Sequence, residues 1–546
     1  MNRRWVHIAA ILGVVLLLNV VAHCVVLRYD LTDDKRYSLK APMKELLGQL
    51  DDELTVTIYL SGELNSGFVR LRTAVRDFVE EMDVYAPVES RNGDAEEAEQ
   101  MGLTPTIIHE REQGGRMAQT MVYPYVRLDY KGRSTIVPLL RSNRSLSGEE
   151  NLNQSIENLE YMMAEAIVGL TRTETQRIAF LEGHGELPEE NVYDISAALS
   201  RYFQIDRGVI GDDATVLDDY AAVIVADPQL PFSESDKYVL DRYVQRGGNI
   251  LWVVNGVQFS QQVLSAAGFT PVIALDLHLT DLFFRYGVRI NPGLVVDLQC
   301  LSVPVDVSRD PEQPNYQPVP WTYAPLLLTS QYSPITRGVG QINSLFVSPI
   351  DAVGGEDGLK KQILLASSSA SKVIGVPAEV DLMDLNVDVE SFTASYVPVA
   401  VSVEGQFPSL FEHRMVPEEI ANAGAASAER NEQASSRQVW IAAGSVIRNE
   451  WQQGQALPVG YDRYTRVQFA NRDLLVNAVL WMTDKSGLIA LRDRVVSLRL
   501  LNDKRAHDER MKCQIVSTVV PVVVLLLVGG ICVATRRLRY AKKKTV

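Results

Sequence analysis

Two long apolar runs stand near opposite ends of this chain, and a block of mixed polar and apolar residues separates them. The runs at residues 6–27 and 515–535 contain no Asp, Glu, Lys or Arg. A helix needs about 20 residues to cross the ~30 Å hydrocarbon core of a membrane. The pattern therefore predicts two transmembrane helices, with both termini on one side of the membrane and a large domain on the other.

Short basic flanks indicate which side is cytoplasmic, because Lys and Arg next to a span resist translocation. Arg3 and Arg4 precede the first run, and six basic residues lie within 536–544 after the second. The termini are therefore predicted to be cytoplasmic, and the large block to be exported. A cleaved signal peptide or a lipoprotein at Cys24 are the alternatives. No small-x-small site closes the run and His23 precedes the cysteine, so an uncleaved anchor is favoured.

The first part of the block shows the periodicities of a small α/β domain. Residues 54–60 have strand composition, and apolar positions at helical spacing follow over 68–82. Residues 122–130 and 134–140 read as a hairpin, and 151–170 as a further amphipathic helix. The order predicts a thioredoxin-like outline. It has no C-x-x-C pair, which excludes thiol redox chemistry there.

The central part alternates apolar strands with helices. Strands are predicted at 177–182, 221–226 and 249–254, and Ser233 is expected to cap a helix over 234–246. Such alternation is typical of a parallel sheet covered on both faces. Further strands and a last helix are predicted at 342–350, 362–369, 396–405, 438–445 and 471–484.

These patterns divide the chain into five segments: an anchor (1–30), a thioredoxin-like domain (31–172), a larger α/β domain (173–485), an amphipathic basic helix (486–513), and a second span with a basic tail (514–546). The amphipathic segment fits a helix on the membrane surface or against a partner. It fits equally well an ordinary solvated helix that packs Leu491 inward.

Composition excludes several classes of function. The net charge is −15, and the block between the runs is more acidic still because the termini are basic. Such a surface is unsuited to nucleic acid. Cys300 is the one thiol well inside the block, so no disulfide framework is expected there. No phosphate-binding G-x-x-x-x-G-K-[ST] motif occurs, which argues against an ATPase of that kind.

The candidate chemistry lies in Gly183-His184-Gly185-Glu186, just after a predicted parallel strand. Open α/β sheets bind ligands at the carboxyl ends of their strands, and His and Glu are acid–base groups. Asn255 follows the third strand at a nucleophile's place, but its side chain is no nucleophile. No paired metal motif is present. We expect a ligand or interface turn, with no catalytic residue, metal or cofactor; an envelope hydrolase or carbohydrate-active enzyme is the alternative.

Five segments together carry a family resemblance, at residues 36–47, 178–186, 282–297, 399–411 and 471–492. They resemble the GldG-like auxiliary subunits of gliding-associated ABC transporters. The resemblance implies a periplasmic subunit that works with a GldF-like multi-span permease and a GldA-like ATPase. It also implies a central class I glutamine-amidotransferase-like fold without the catalytic cysteine. The substrate, and the choice between ligand capture and mechanical coupling, stay open.

Overall fold

The computed structural model describes residues 38–541, apart from 63, 112–116, 141–147, 172–174, 212, 307–314, 355–357, 383–386, 423–433, 485–490 and 492–509. The predicted first span at 6–27 lies outside the described residues. The chain is a mixed α/β protein that divides into two compact units, Met1–Arg494 and Val495–Val546.

The larger unit begins with a small α/β domain. Its elements are α1 (Ala41–Gly48), β1 (Leu54–Ile58), α2 (Ser66–Met82), β2 (Val88–Asn92), α3 (Ala95–Gln100), β3 (Thr106–Arg111), β4 (Met117–Val122), β5 (Tyr125–Tyr130), β6 (Arg133–Pro138), α4 (Gly148–Glu157) and α5 (Leu159–Thr171). Four strands form a sheet in the order β2-β1-β5-β6, in which only β1 and β2 are parallel. Strands β3 and β4 form a separate hairpin.

Apolar periodicity accounts for most of this domain. Helix α2 buries the predicted face, including Leu71 and Val75, and Asn65 caps it by accepting a bond from the Phe68 amide. The single helix predicted over 151–170 is instead two helices. They separate at Asn158, whose side-chain amide bonds back to the Gln154 carbonyl. Strand β2 escaped prediction because no residue of its VESRN sequence is buried.

The central domain follows with the larger set of elements. They are β7 (Arg177–Glu182), α6 (Tyr193–Leu199), β8 (Gln204–Val209), β9 (Tyr220–Ala226), α7 (Glu234–Gln245), β10 (Ile250–Val253), β11 (Val257–Gln258), α8 (Gln261–Ala267), β12 (Phe269–Ala274), α9 (Thr280–Arg285), β13 (Val288–Ile290), β14 (Gly293–Asp297), β15 (Cys300–Asp306), β16 (Tyr316–Thr329), β17 (Ile342–Asn343), β18 (Ile350–Ala352), β19 (Lys360–Ala366), β20 (Ser371–Gly375), β21 (Ala378–Asp381), β22 (Pro398–Gly405), α10 (Glu418–Asn422), β23 (Ser436–Ile441), β24 (Trp451–Gln452), β25 (Gln455–Ala456), β26 (Tyr461–Asp462), β27 (Val467–Gln468) and α11 (Asn471–Thr483).

A ten-stranded sheet organises this domain, in the order β15-β16-β19-β22-β23-β10-β9-β7-β8 with β17 paired to β16. The five strands from β23 to β8 are parallel, as the alternation of strands and helices predicts. From β22 onward the strands are antiparallel. The parallel arrangement is therefore only half of the sheet.

Helices cover both faces of the parallel half, as predicted. Alternate strand residues, such as Leu251 on one face and Trp252 on the other, belong to two different cores. The first core includes buried residues of α6 and α11, and the second those of α7 and α9. Ser233 caps α7 in a reciprocal capping box with Asp236, which confirms the predicted cap.

One predicted strand, at 342–350, is wrong as a single element. The segment forms the two short strands β17 and β18, which pair in different sheets. Between them Phe346 has a φ of +50°, which an extended strand does not accommodate. Ser348 meanwhile accepts a hydrogen bond from the Gly256 amide, outside any ladder.

The second unit contains helix α12 (Arg510–Ala541). Its segment Val516–Leu538 is long and apolar enough to cross a membrane, and its described side chains are exposed. One predicted span is thereby supported as a candidate. Of the predicted basic helix, the structure describes only Leu491 and the residues from Arg510 onward. Leu491 is buried in the core of the small domain, and its carbonyl accepts a bond from Lys40 Nζ at 3.2 Å.

Candidate functional site

The five predicted site residues lie at the carboxyl edge of the parallel strands. Gly183-His184-Gly185-Glu186 follows β7, and Asn255 follows β10. The loop after β9 joins the turn, because the amides of Gln229 and Leu230 both donate to the His184 carbonyl at 2.8 Å. The turn and Asn255, which were predicted separately, thus lie at the same edge of the sheet.

Backbone geometry explains the two glycines of the turn. Gly183 has a φ of +113° and Gly185 a φ of +73°, conformations that residues with a side chain rarely adopt. A Cβ on Gly185 would also lie 3.3 Å from the Cβ of Gln229. The glycines let the turn close against the neighbouring loop.

His184 is enclosed by three side chains. Its ring stacks on Phe232 with 3.7 Å between centroids and 7° between planes. Nδ1 lies 3.2 Å from Glu186 Oε1, and Nε2 lies 3.2 Å from Asp236 Oδ2. The side chain is only 9% exposed. Both ring nitrogens therefore have a carboxylate partner, and neither is free to accept a proton from a substrate or to bind a metal.

The enclosure of His184 determines the charge of its ring. Burial alone lowers the pKa of His184, but the hydrogen bonds that its ring donates to Asp236 and Glu186 outweigh burial and raise the pKa to about 9. Burial raises the pKa of Asp236, yet its bonds with His184 and Ser233 bring that pKa below its ordinary value. Near neutral pH the group is an imidazolium between two carboxylates. Such an imidazolium makes a poor general base.

A second cluster at this edge consists of Asp227, Asn255 and Gly444, which follow β9, β10 and β23. Asn255 donates from Nδ2 to Asp227 Oδ1 at 3.2 Å and accepts from the Gly444 amide at 3.0 Å. Asp227 has a φ of +54°, and a Cβ on Gly444 would lie 2.0 Å from its Oδ1. Burial raises the pKa of Asp227 to about 6, against the positive charge of Arg448. Asn255 therefore acts as a bridge rather than as an exposed group.

The described residues at this edge hold polar groups that mostly satisfy one another. Among the residues that the structure describes, no group of three His, Cys, Asp or Glu side chains is suited to a metal ion. Sequence reasoning missed Phe232, Asp236, Asp227 and Gly444. Asp227 carried a usable signal, because it directly follows a buried parallel strand. Phe232 and Gly444 carried none.

The opposite, amino edge of the same strands contains an open cleft of about 450 Å³. Arg437 of β23 crosses one wall, with its Nε 2.8 Å from Glu404 and its Nη1 bonded to the carbonyls of Trp481 and Asp484. Arg246 lines the cleft and pairs with Asp218. Nothing in the apolar periodicity of the chain pointed to this cleft.

Comparison with known families assigns the central domain. A family model described as "ABC-type uncharacterized transport system" matches residues 175–478, which include the edge described above. The chain belongs to this family. A second model, a domain of unknown function named DUF7088, matches residues 33–129 of the small domain.

Two individual proteins are similar to parts of the chain. An uncharacterized protein of Borreliella burgdorferi is 19% identical over 286 residues, which are 51% of this chain. The chain spans about half the length of that relative, 53% of it. A solved structure, the mmIFT52 N-terminal domain, matches 56% of this chain and 97% of its own length at 13% identity. Its TM-score of 0.33 is too low to establish a shared fold.

Membership of this family associates the chain with ABC-type transport systems. The apolar segment of α12 is consistent with membrane association. A family of auxiliary proteins suggests a non-catalytic subunit.

Proposed function

We propose that the chain is a non-catalytic periplasmic subunit of an ABC transporter, held in the inner membrane by a span at each end. In this proposal it is GldG-like, and it binds a ligand or couples a GldF-like permease and a GldA-like ATPase to periplasmic components in gliding motility or another envelope process. The observation that carries the proposal is the union, in one chain, of a transport-family domain with an apolar helix able to span a membrane.

Contacts inside the larger unit support the double anchor. Lys40 lies ten residues after the predicted first anchor, and Leu491 lies between the central domain and α12. The Lys40 ammonium donates to the Leu491 carbonyl, and Leu491 is fully buried in the core of the small domain. Lys40 and Leu491, which lie near opposite ends of the extramembrane block in sequence, are therefore in contact, which suits a protein tethered at both ends to one membrane.

The proposed segments are those predicted from sequence, with boundaries near residues 30, 172, 485 and 513. Sheet order β2-β1-β5-β6, with a helix between the parallel pair and a hairpin after it, supports a thioredoxin-like small domain. The five parallel strands with helices on both faces support an amidotransferase-like central domain.

The turn formed by Gly183, His184, Gly185 and Glu186, with Asn255 beside it, is proposed as a rigid ligand or partner contact. Gly183 and Gly185 expose their backbone, whereas His184 is buried beneath them. A contact of this kind depends on the shape of the turn. The interactions of His184 with Glu186 and Asp236 hold that shape.

Co-purification tests the transporter assignment. A carboxyl-terminally tagged full-length chain is extracted from its native membrane in mild detergent, and its partners are identified by mass spectrometry. We expect a multi-span permease and an ATPase in stoichiometric amounts. Recovery of the chain alone, from an extract in which other transporters stay assembled, would contradict the proposal.

Topology is tested separately with single cysteines on a cysteine-free full-length chain. Tyr332→Cys places a thiol at a side chain that is 85% exposed in the larger unit, and Lys544→Cys places one in the basic tail. A membrane-impermeant maleimide added to cells with a permeabilised outer membrane should label the first and spare the second until lysis. The reverse pattern would overturn the periplasmic assignment.

The rival, an envelope hydrolase that uses His184 and Glu186, makes a different prediction. In that case conservative variants such as His184→Gln would abolish function while protein level and partner recovery stay normal. Under our proposal, function falls only together with stability or partner recovery.

A further inference from the structure

An aromatic corner lies just beyond the carboxyl edge, outside the group of residues around His184. We use this name for Tyr193 and Trp451 with the adjoining Pro188, Glu189 and Glu190, which together line an open pocket of about 510 Å³. This volume lies within the range of small-molecule sites. The corner joins the edge through Leu187, whose amide donates to the Ala226 carbonyl at the end of β9.

The two rings are held in place rather than merely exposed. Trp451 Nε1 donates to the Glu190 carbonyl at 2.8 Å, and the ring lies 5.9 Å from that of Tyr193 at a tilt of 49°. Asn449, 1% exposed, donates to the same carbonyl and accepts from the Asp194 amide. This buried asparagine fixes the hairpin of Trp451 to the short helix Glu189–Val192. The rings nevertheless stay 50% (Tyr193) and 42% (Trp451) exposed.

The charge of the corner is negative. Neither Glu189 nor Glu190 has a hydrogen bond or ion pair through its carboxylate among the described residues, and both are exposed. Two cations of the neighbouring segments are already paired, Arg463 with Glu450 and Arg472 with Asp194. The corner thus combines two fixed aromatic faces with two unneutralised carboxylates.

This geometry points to a binding site for a small ligand that carries an alkylammonium or quaternary ammonium group. Ring faces attract cations through their negative quadrupole, and Trp and Tyr are the best rings for it. The two carboxylates add charge attraction that a neutral ligand would not receive. The inference stands on the corner itself and does not depend on the proposed transporter partners.

The test measures binding of choline to the full-length protein in a neutral detergent by ligand-observed saturation-transfer NMR. Choline should bind saturably, and its uncharged isostere 3,3-dimethylbutan-1-ol at least about tenfold more weakly. Two further probes are methyl glucoside and oligolysine. Equal binding of the isostere, or binding of methyl glucoside without choline, would overturn the cation site. Binding of oligolysine without choline would show a docking surface for a basic segment instead.

Variants locate the site. Trp451→Ala should weaken choline binding about tenfold, whereas Trp451→Phe, which keeps a ring face, should lose much less. Because Trp451→Ala also removes a structural hydrogen bond, the pair Glu189→Gln and Glu190→Gln provides an independent arm. It should weaken binding about fivefold and remove most of its salt dependence.

The matched control is Tyr332→Ala, which removes an aromatic ring that is 85% exposed and lies outside the corner. It should leave choline binding unchanged. Binding that survives both Trp451→Ala and the double glutamine variant, or that falls equally in Tyr332→Ala, would refute the site. Absence of any choline binding to the unaltered protein would refute it as well.

Discussion

The two edges of the parallel strands differ in how their charged groups are exposed to solvent. At the carboxyl edge, His184 is closed in by Phe232, Glu186 and Asp236, and its side chain is only 9% exposed. At the amino edge, Arg437 and Arg246 line an open cleft of about 450 Å³. The edge that carries the conspicuous sequence motif is the packed one. The glycines of this motif meet the backbone conformation that the turn requires, and its histidine is packed inside. The open cleft lies at the amino edge.

This difference has an energetic consequence. Charge pairs withdrawn from water interact strongly, and removing one partner leaves the other buried and unpaired. Pairs beside open solvent are screened and contribute little. Similar substitutions should therefore cost much more at the carboxyl edge than at the amino edge.

The largest effect is expected from His184→Ala. The change deletes a stacked ring and leaves Glu186, whose side chain is 2% exposed, near Asp236 without the intervening cation. We expect a loss of about 4 kcal/mol in the free energy of unfolding. Urea denaturation of the full-length protein, followed by tryptophan fluorescence, measures it, with exposed His413→Ala as the control.

The pH dependence of that loss checks its cause. The pKa of His184 rises from 6.5 to about 9 on folding, so its contribution is complete below pH ~6.5 and is lost as pH rises through about 9. The difference in the free energy of unfolding between the unaltered protein and His184→Ala should therefore shrink as the pH rises from ~6.5 through about 9. A loss that does not change with pH would mean that the stacked ring, and not the charge, is what stabilises the edge.

Gly444→Ala should come next, at about 3 kcal/mol, because its Cβ would lie 2.0 Å from Asp227 Oδ1. Asp227→Gly, which accepts the positive φ and removes the clash, should restore much of this loss in the double variant. Thermal denaturation of the four full-length proteins gives the coupling. Additive losses would show that the three strand ends are not packed through Asp227.

Part of this edge was predictable and part was not. Apolar runs predicted β7, β9 and β10 with their parallel sense, and Ser233 predicted the cap of α7. The contact of His184 with Asp236 joins residues 52 positions apart, and β23 pairs with β10 across 188 residues between Ile250 and Gln438. Local periodicity carries no information on such distances. The sequence identified the turn with its Glu186, but not Phe232 and Asp236, which also enclose His184.

At the amino edge, Arg437→Met should cost only about 1–2 kcal/mol despite the bonds to Glu404 and two carbonyls. Arg463→Met is a close control, because Arg463 also faces a glutamate and an aromatic ring but is 44% exposed, against 28% for Arg437. It should cost under about 0.5 kcal/mol. Urea denaturation compares them. A loss for Arg437→Met as large as that of His184→Ala would erase the difference between the edges.

The smallest effect has the opposite sign. The pKa of Asp227 rises from 3.8 to about 6 because burial disfavours its charge. A carboxyl with a raised folded pKa favours folding fully only below its unfolded value, and that advantage is lost as pH rises through about 6. Near neutral pH the ionised carboxylate therefore destabilises the edge.

Asp227→Asn should stabilise the protein by about 1 kcal/mol above pH ~7, with the gain disappearing below pH ~4. Asparagine tolerates the φ of +54° and keeps an oxygen for the Asn255 amide. Thermal denaturation across that pH range measures the gain, with Asp219→Asn, 85% exposed, as the control. A destabilised variant at neutral pH would mean that a positive charge, such as that of Arg448, holds Asp227 ionised. In that case Asp227, like the charged groups of the amino edge, would stabilise the protein as an ionised partner. Only the enclosed His184 would then distinguish the two edges.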